Sequence, residues 1–212
     1  CSSTCNLLPS STSCDCDNRG LSSVPQFLPA TIRNLNLENN IITTVSQSDF
    51  SRYTNVWVLN LQSNQLSVIN SRPFYNLRRL AKLYLQNNQL TRLTADTFVG
   101  LDKLRVLRLE NNNIHSIEAG TFRTNPELYY LVLTNNNIST LVAGTFVNPP
   151  RLQYLRLSHN HINTFPDFLS NLDISMLREL TLDHNQMEIL PPISYNILAP
   201  IAWLRIHNNP WQ

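Results

Sequence analysis

The sequence predicts an α/β repeat solenoid, with a parallel β-sheet on the concave face and short helical or irregular segments on the convex face. Three observations predict it. The string apolar-x-x-apolar-x-apolar-x-x-Asn-x-apolar starts at Ile32, Val56, Leu80, Leu104, Leu128, Leu152, Leu177 and Ile201, every step being 24 residues except one of 25. Each copy carries its asparagine at the same place: Asn40, Asn64, Asn88, Asn112, Asn136, Asn160, Asn185 and Asn209. Each copy also changes periodicity halfway, as in "LYLQNNQLTRL" from Leu83 to Leu93. Period two reads as a half-buried strand and wider spacing as a turn or helical segment, so no single element accounts for one copy. Self-similarity at a fixed period of this length marks a stacked-repeat architecture.

Residues 1–31 hold all four cysteines, Cys1, Cys5, Cys14 and Cys16. An even number gathered at one end reads as two disulfides in an oxidising compartment. A zinc site is the competing reading, but the C-x3-C and C-x-C spacings fit zinc pairs poorly. The disulfides have a physical task, because a solenoid's first repeat exposes the open end of its core and needs an atypical cap.

Residues 32–200 are the repeats. Within "LYLQNN", Leu83 and Leu85 point inward while Tyr84 points to the other face. One repeat cannot bury its apolar face alone, but stacked neighbours can. Asn88 follows the strand, where the chain turns with its backbone groups buried. Its amide offers two donors and an acceptor, and buried polar groups must be bonded, so the asparagines are expected to form a ladder through the turns. Late in the repeat, Phe50, Phe74, Phe98, Phe122 and Phe146 fill the convex segment from inside.

The pattern L-x-x-L-x-L-x-x-N-x-L resembles the leucine-rich repeat family over most of the chain. The 24-residue length with a late phenylalanine resembles its extracellular subgroup. "LSSVPQFLPATIRNLNL" resembles the N-terminal cap of secreted members. In that family the cap runs C-x3-C-x-C with a fourth cysteine further on, whereas here a long gap precedes "CDC". The resemblance suggests the pairs Cys1–Cys14 and Cys5–Cys16, and the spacing leaves the connectivity open. "LRIHNNPWQ" resembles the opening of the family's C-terminal cap, where Asn-Pro-Trp is followed by cysteines. Residues 201–212 are therefore read as the last repeat strand and the start of a cap that is truncated or absent.

Among family members the chain resembles the variable lymphocyte receptors of jawless vertebrates and similar chordate proteins. That resemblance implies binding of antigen or bacterial surface components, as protein or glycan, by a secreted or cell-surface protein. The alternative is a cell-adhesion or axon-guidance type receptor ectodomain with a single protein partner.

Composition sets the bounds. Of the 212 residues, 42% are hydrophobic and 14% charged, and the net charge is +2. That balance does not by itself imply a nucleic-acid or membrane partner. No run approaches the ~20 apolar residues of a membrane span, and no signal peptide is read in the sequence, which begins at Cys1 as a processed or trimmed chain would. Asn137-Ile138-Ser139 is a glycosylation sequon that fits an extracellular setting. With four glycines and no G-x-S-x-G, H-E-x-x-H or phosphate loop, an enzyme is not expected and no cofactor is assigned.

Function must then come from the strand surface. Template positions two, three, five, seven and eight face outward, and equivalent positions in adjacent repeats lie ~4.8 Å apart. Tyrosine, tryptophan and arginine are the residues enriched at binding hot spots. Tyr84, Arg108, Tyr130, Tyr154 and Arg156 are expected together at mid-arc. Positions two, three and five hold seven Arg or Lys residues and one acid, Glu179, while position seven holds Glu38, Glu110 and Asp183. From two to seven is roughly 16 Å of strand, beyond the ~8 Å Debye length, so a negative strip is expected along one edge. The candidate ligand-binding residues are Glu38, Tyr84, Arg108, Glu110, Tyr130, Tyr154, Arg156, Glu179 and Asp183. His159 and His184 share position eight, with Asp183 and His207 near them. That grouping suits zinc or pH sensing, yet no spacing motif accompanies it, so no metal is assigned from sequence.

Overall fold

The structure, a computed structural model, describes residues 5–7, 12–147, 149–165 and 174–212. Its concave face is one ten-stranded sheet. Asn6–Leu7 pairs antiparallel with Ser13–Asp15, which then opens an all-parallel series. The series continues through Asn34–Asn36, Val58–Asn60, Lys82–Tyr84, Val106–Arg108, Tyr130–Val132, Tyr154–Arg156, Glu179–Thr181 and Trp203–Arg205. Register is in phase throughout: Leu35 pairs with Leu59, Leu59 with Leu83, Leu83 with Leu107, and onward to Leu204. These leucines are buried until the last strand, where Leu204 is partly buried. Alternation therefore sends one side of every strand into the core and leaves the other as surface.

The asparagine ladder forms as the turn chemistry requires. Asn88 Nδ2 donates to the carbonyls of Leu61 at 2.9 Å and Leu85 at 3.1 Å, and its Oδ1 accepts the Leu66 N–H at 3.0 Å. The same pattern runs from Asn40, which accepts from the Arg19 and Leu21 amides of the cap, to Asn209. A second column forms nearer the convex side, where the rings of Phe98, Phe122 and Phe146 stack at 5.8 and 5.6 Å. Hydroxyls organise the turn before each ring. Thr121 Oγ1 donates to the Glu118 carbonyl at 2.7 Å and Thr145 Oγ1 to that of Val142 at 2.8 Å. Ser46 and Asp49 do this work before Phe50 through a capping box.

The convex side is more regular than expected. Besides turns and the 3-10 segments Gln47–Phe50 and Ile174–Met176, two short parallel pairs form there, Thr44–Val45 with Val68–Ile69 and Arg92–Leu93 with Ser116–Ile117. Translation by one repeat aligns backbones on that side too, so short ladders close wherever the chain is locally extended. Ser194–Leu198 is an α-helix. At the N-terminal end Cys5 and Cys16 are joined and buried. Cys14 is disulfide-bonded as well, and the Cys1 of the expected Cys1–Cys14 pair lies outside the described residues. Among the described residues no helix is long and apolar enough to cross a membrane.

Candidate ligand-binding surface on the concave face

The in-phase register turns sequence columns into rows of side chains. Position three aligns Tyr130, Tyr154, Glu179 and Trp203 across four neighbouring strands, and position five aligns Val132, Arg156, Thr181 and Arg205. The Tyr130 and Tyr154 rings lie 5.7 Å apart, and Tyr129 meets Tyr154 edge-on at 6.4 Å. Arg156 lies over the Tyr130 ring at 5.3 Å and grips Glu179 with Nε at 2.7 Å and Nη2 at 3.3 Å. The Glu179 carboxylate holds the Arg156 guanidinium above its ordinary range, against the opposing effect of burial. Arg205 lies over Trp203, whose surface is 56% exposed. A bidentate carboxylate on one side and an aromatic face on the other hold the planar Arg156 cation in place.

Beside this cluster lies a concavity of about 560 Å³ lined by Arg156, His159, Glu179, Thr181, Trp203 and Arg205, with Asp183 among its further walls. Thr181 Oγ1 is buried there without a hydrogen-bond partner among the described residues. Asp183 is 4% exposed. Burial pushes its carboxyl up, but hydrogen bonds from Ser158 at 2.6 Å and His184 at 2.9 Å outweigh that and leave it below the usual carboxylate range. The site thus combines a rigid aromatic and arginine rim with polar groups on its floor.

Of the three acids expected as a negative strip along position seven, one is paired with an arginine. Arg108 at position five forms an ion pair with Glu110 two residues on, and Glu110 is 8% exposed. Glu38 accepts from Asn60 at 2.9 Å and also from Gln62. Asp183 is buried and bonded as described. Positions five and seven share a face, so Arg108 reaches Glu110, whereas position five is Asn36 beside Glu38 and Thr181 before Asp183. Nor are all outward positions free of packing. Val132, Thr181, Gln86 and Ser158 are buried.

The remaining candidates spread along the arc. Arg108 pairs in register with Val132 and Tyr84 with Arg108, so a whole strand stands between Tyr84 and the tyrosine pair. Glu38 lies further toward the cap. Trp203, Arg205 and Thr181 line the concavity but were not singled out from sequence. The signal for Trp203 and Arg205 is an aromatic at position three followed by arginine at five, shared by "YLR" and "WLR", while Thr181 carries none. A second concavity, about 400 Å³, sits on the flank between Arg33, Trp57, Arg79, Lys103 and Arg105. There Glu127 takes Lys103 at 2.7 Å and Arg105 at 3.0 Å. Asn137, the sequon asparagine, is exposed.

The family described as Leucine rich repeat matches at residues 30–90, 54–114, 78–126 and 102–162, together more than half of the chain. No curated protein matches the sequence. Among solved structures, the fold is similar to that of human 5T4, also named Wnt-activated inhibitory factor 1 and trophoblast glycoprotein. That similarity has a TM-score of 0.82 at 25% identity, over 100% of this chain and 81% of the other. The in-phase strands, the asparagine ladder and the matched repeats place this chain in the leucine-rich repeat family.

Proposed function

We propose that this chain is an extracellular recognition module that binds antigen or bacterial surface components, protein or glycan, through its concave face, in innate or variable-lymphocyte-receptor-type immunity. The observation that carries the reading is the Tyr130, Tyr154, Arg156 and Glu179 cluster standing beside the concavity walled by Trp203 and Arg205. Rigid aromatics and arginine supply contact area at low entropic cost, and a partly buried polar floor supplies specificity. The buried Cys5–Cys16 disulfide supports a secreted or cell-surface location.

The likeness to a protein named as a Wnt-activated inhibitory factor favours a second reading, a receptor-type ectodomain with a single protein partner. One experiment separates the two. The purified chain is screened against whole bacteria, glycan arrays and a library of extracellular domains. Selective microbial or glycan capture that Tyr154→Ala and Arg156→Ala reduce at least about tenfold, the loss of a typical hot spot, supports immunity. Capture of one host ectodomain alone supports the receptor reading. Capture that both substitutions leave intact refutes the concave site.

A further inference from the structure

We propose that His159, His184 and Asp183 bind a divalent transition-metal ion of the zinc class at the edge of the concave face. The argument starts from the backbone. Position eight is left-handed in every copy: Asn39, Ser63, Asn87, Asn111, Asn135, His159, His184 and Asn208 have φ between 53° and 57°. Equal backbone posture in stacked repeats projects these side chains in parallel. Where asparagines follow one another the amides satisfy each other, Asn111 donating to Asn87 and Asn135 to Asn111, both at 2.7 Å. Two consecutive repeats carry imidazoles in that column, and Asn208 Nδ2 bonds His184 Nε2 at 2.7 Å. The rings of His159 and His184 stack at 4.1 Å with 13° between their planes, and His207 meets His184 edge-on at 5.7 Å.

A carboxylate sits among them. Asp183 Oδ2 is 2.9 Å from His184 Nδ1 and 3.9 Å from His207 Nε2, while Oδ1 takes the Ser158 hydroxyl at 2.6 Å. One ligating atom from each of His159, Asp183 and His184 lies within 4.8 Å of the other two. In a tetrahedral zinc site with bonds of ~2.0–2.1 Å, ligand atoms are about 3.3 Å apart, so closure needs at most roughly 1.5 Å of approach. Side-chain rotation supplies it, both rings reaching solvent, with His184 exchanging its Asp183 or Asn208 hydrogen bond for the ion. Imidazole with carboxylate is a donor set that suits zinc, copper and nickel rather than magnesium or calcium. Ser158 would orient the carboxylate from behind, the supporting role usual in such sites. His159 and Asp183 also line the concavity, so the ion's remaining positions face the space a partner would enter.

The site does not depend on what the concave face binds, and its test needs no partner. Zinc is titrated into the untagged chain by calorimetry, with magnesium as the control ion. The decisive variant is His159→Asn with His184→Asn, because asparagine holds the same left-handed position in five other repeats and should leave folding intact. We expect one equivalent of zinc to bind, the double variant to weaken it at least ten-fold with unchanged circular dichroism, and the exposed His115→Asn to bind as the parent does. Absence of zinc binding by the parent, or equal binding by the double variant, overturns the proposal.

Discussion

Replacing one rung of the asparagine ladder tests how the solenoid is held together. Asn112 Nδ2 donates to the carbonyls of Leu85 and Leu109, both at 3.0 Å, and Oδ1 accepts the Leu90 N–H at 3.0 Å. Asn112→Ala does not orphan all three groups. Leu85 O keeps Asn88 at 3.1 Å and Leu109 O keeps Asn136 at 3.0 Å. Only the Leu90 amide is left wholly unbonded, a cost of about 1–3 kcal/mol for a buried donor, with a smaller loss at each carbonyl. The sum is about 2–4 kcal/mol. The adjacent Asn111 is exposed, its side chain bonds only to the Asn87 and Asn135 amides, and it sits at φ 57°, so Asn111→Gly should change stability by less than about 0.5 kcal/mol. Urea titration followed by circular dichroism gives the two values. Hydrogen exchange gives the location: the Leu90 amide should lose protection while those of Leu66 and Ile138, served by Asn88 and Asn160, keep theirs. A difference between the two variants under about 1 kcal/mol, or equal loss of protection at all three amides, would refute the account.

Two further outcomes follow from local geometry. A Cβ on Gly100 would meet the Tyr75 carbonyl oxygen at 2.7 Å at a φ of +94°, whereas one on Gly120 would meet nothing nearer than 4.0 Å. Gly100→Ala should therefore cost about 2–3 kcal/mol and Gly120→Ala only about 1, and equal losses on urea titration would count against the contact. Lys103 and Arg105 hold the Glu127 carboxyl below its ordinary range. A depressed folded pKa adds stability above the unfolded value of ~4.3, and that stability is lost as pH falls through the folded one. Glu127→Gln should lower the melting temperature at pH 7 and have a smaller effect at pH 3; an equal effect at both would exclude the pairing as the cause.

The core was legible because its rule is one-dimensional. Leu83, Leu85, Asn88 and Phe98 have roles set by their own repeat and its translated copies, so a template applied along the chain finds them. The concave surface is harder because its contacts cross that template. Glu110 reads as an open carboxylate until Arg108, two residues back on the same face, closes over it. Val132 and Thr181 read as exposed, yet both are buried between strands that carry arginine in register with them. His159 and His184 read as a group with Asp183 and His207 that no spacing motif supports. The left-handed backbone that stacks them was hinted at by the asparagines at the equivalent positions. The pull of the mid-arc tyrosines also hid Trp203 and Arg205, whose importance comes from the concavity they help to wall.

The phenylalanine column has a mechanical consequence. Its rings repeat every 5.6 to 5.8 Å where measured between neighbours, whereas hydrogen-bonded strands repeat at ~4.8 Å. Two rows of unequal pitch joined rung by rung must bend, with the shorter row on the inside. Ring size at Phe50, Phe98 or Phe122 therefore helps set the radius of the horseshoe. Trimming one ring to leucine would flatten the bow and move Tyr130 and Trp203 relative to each other without touching either.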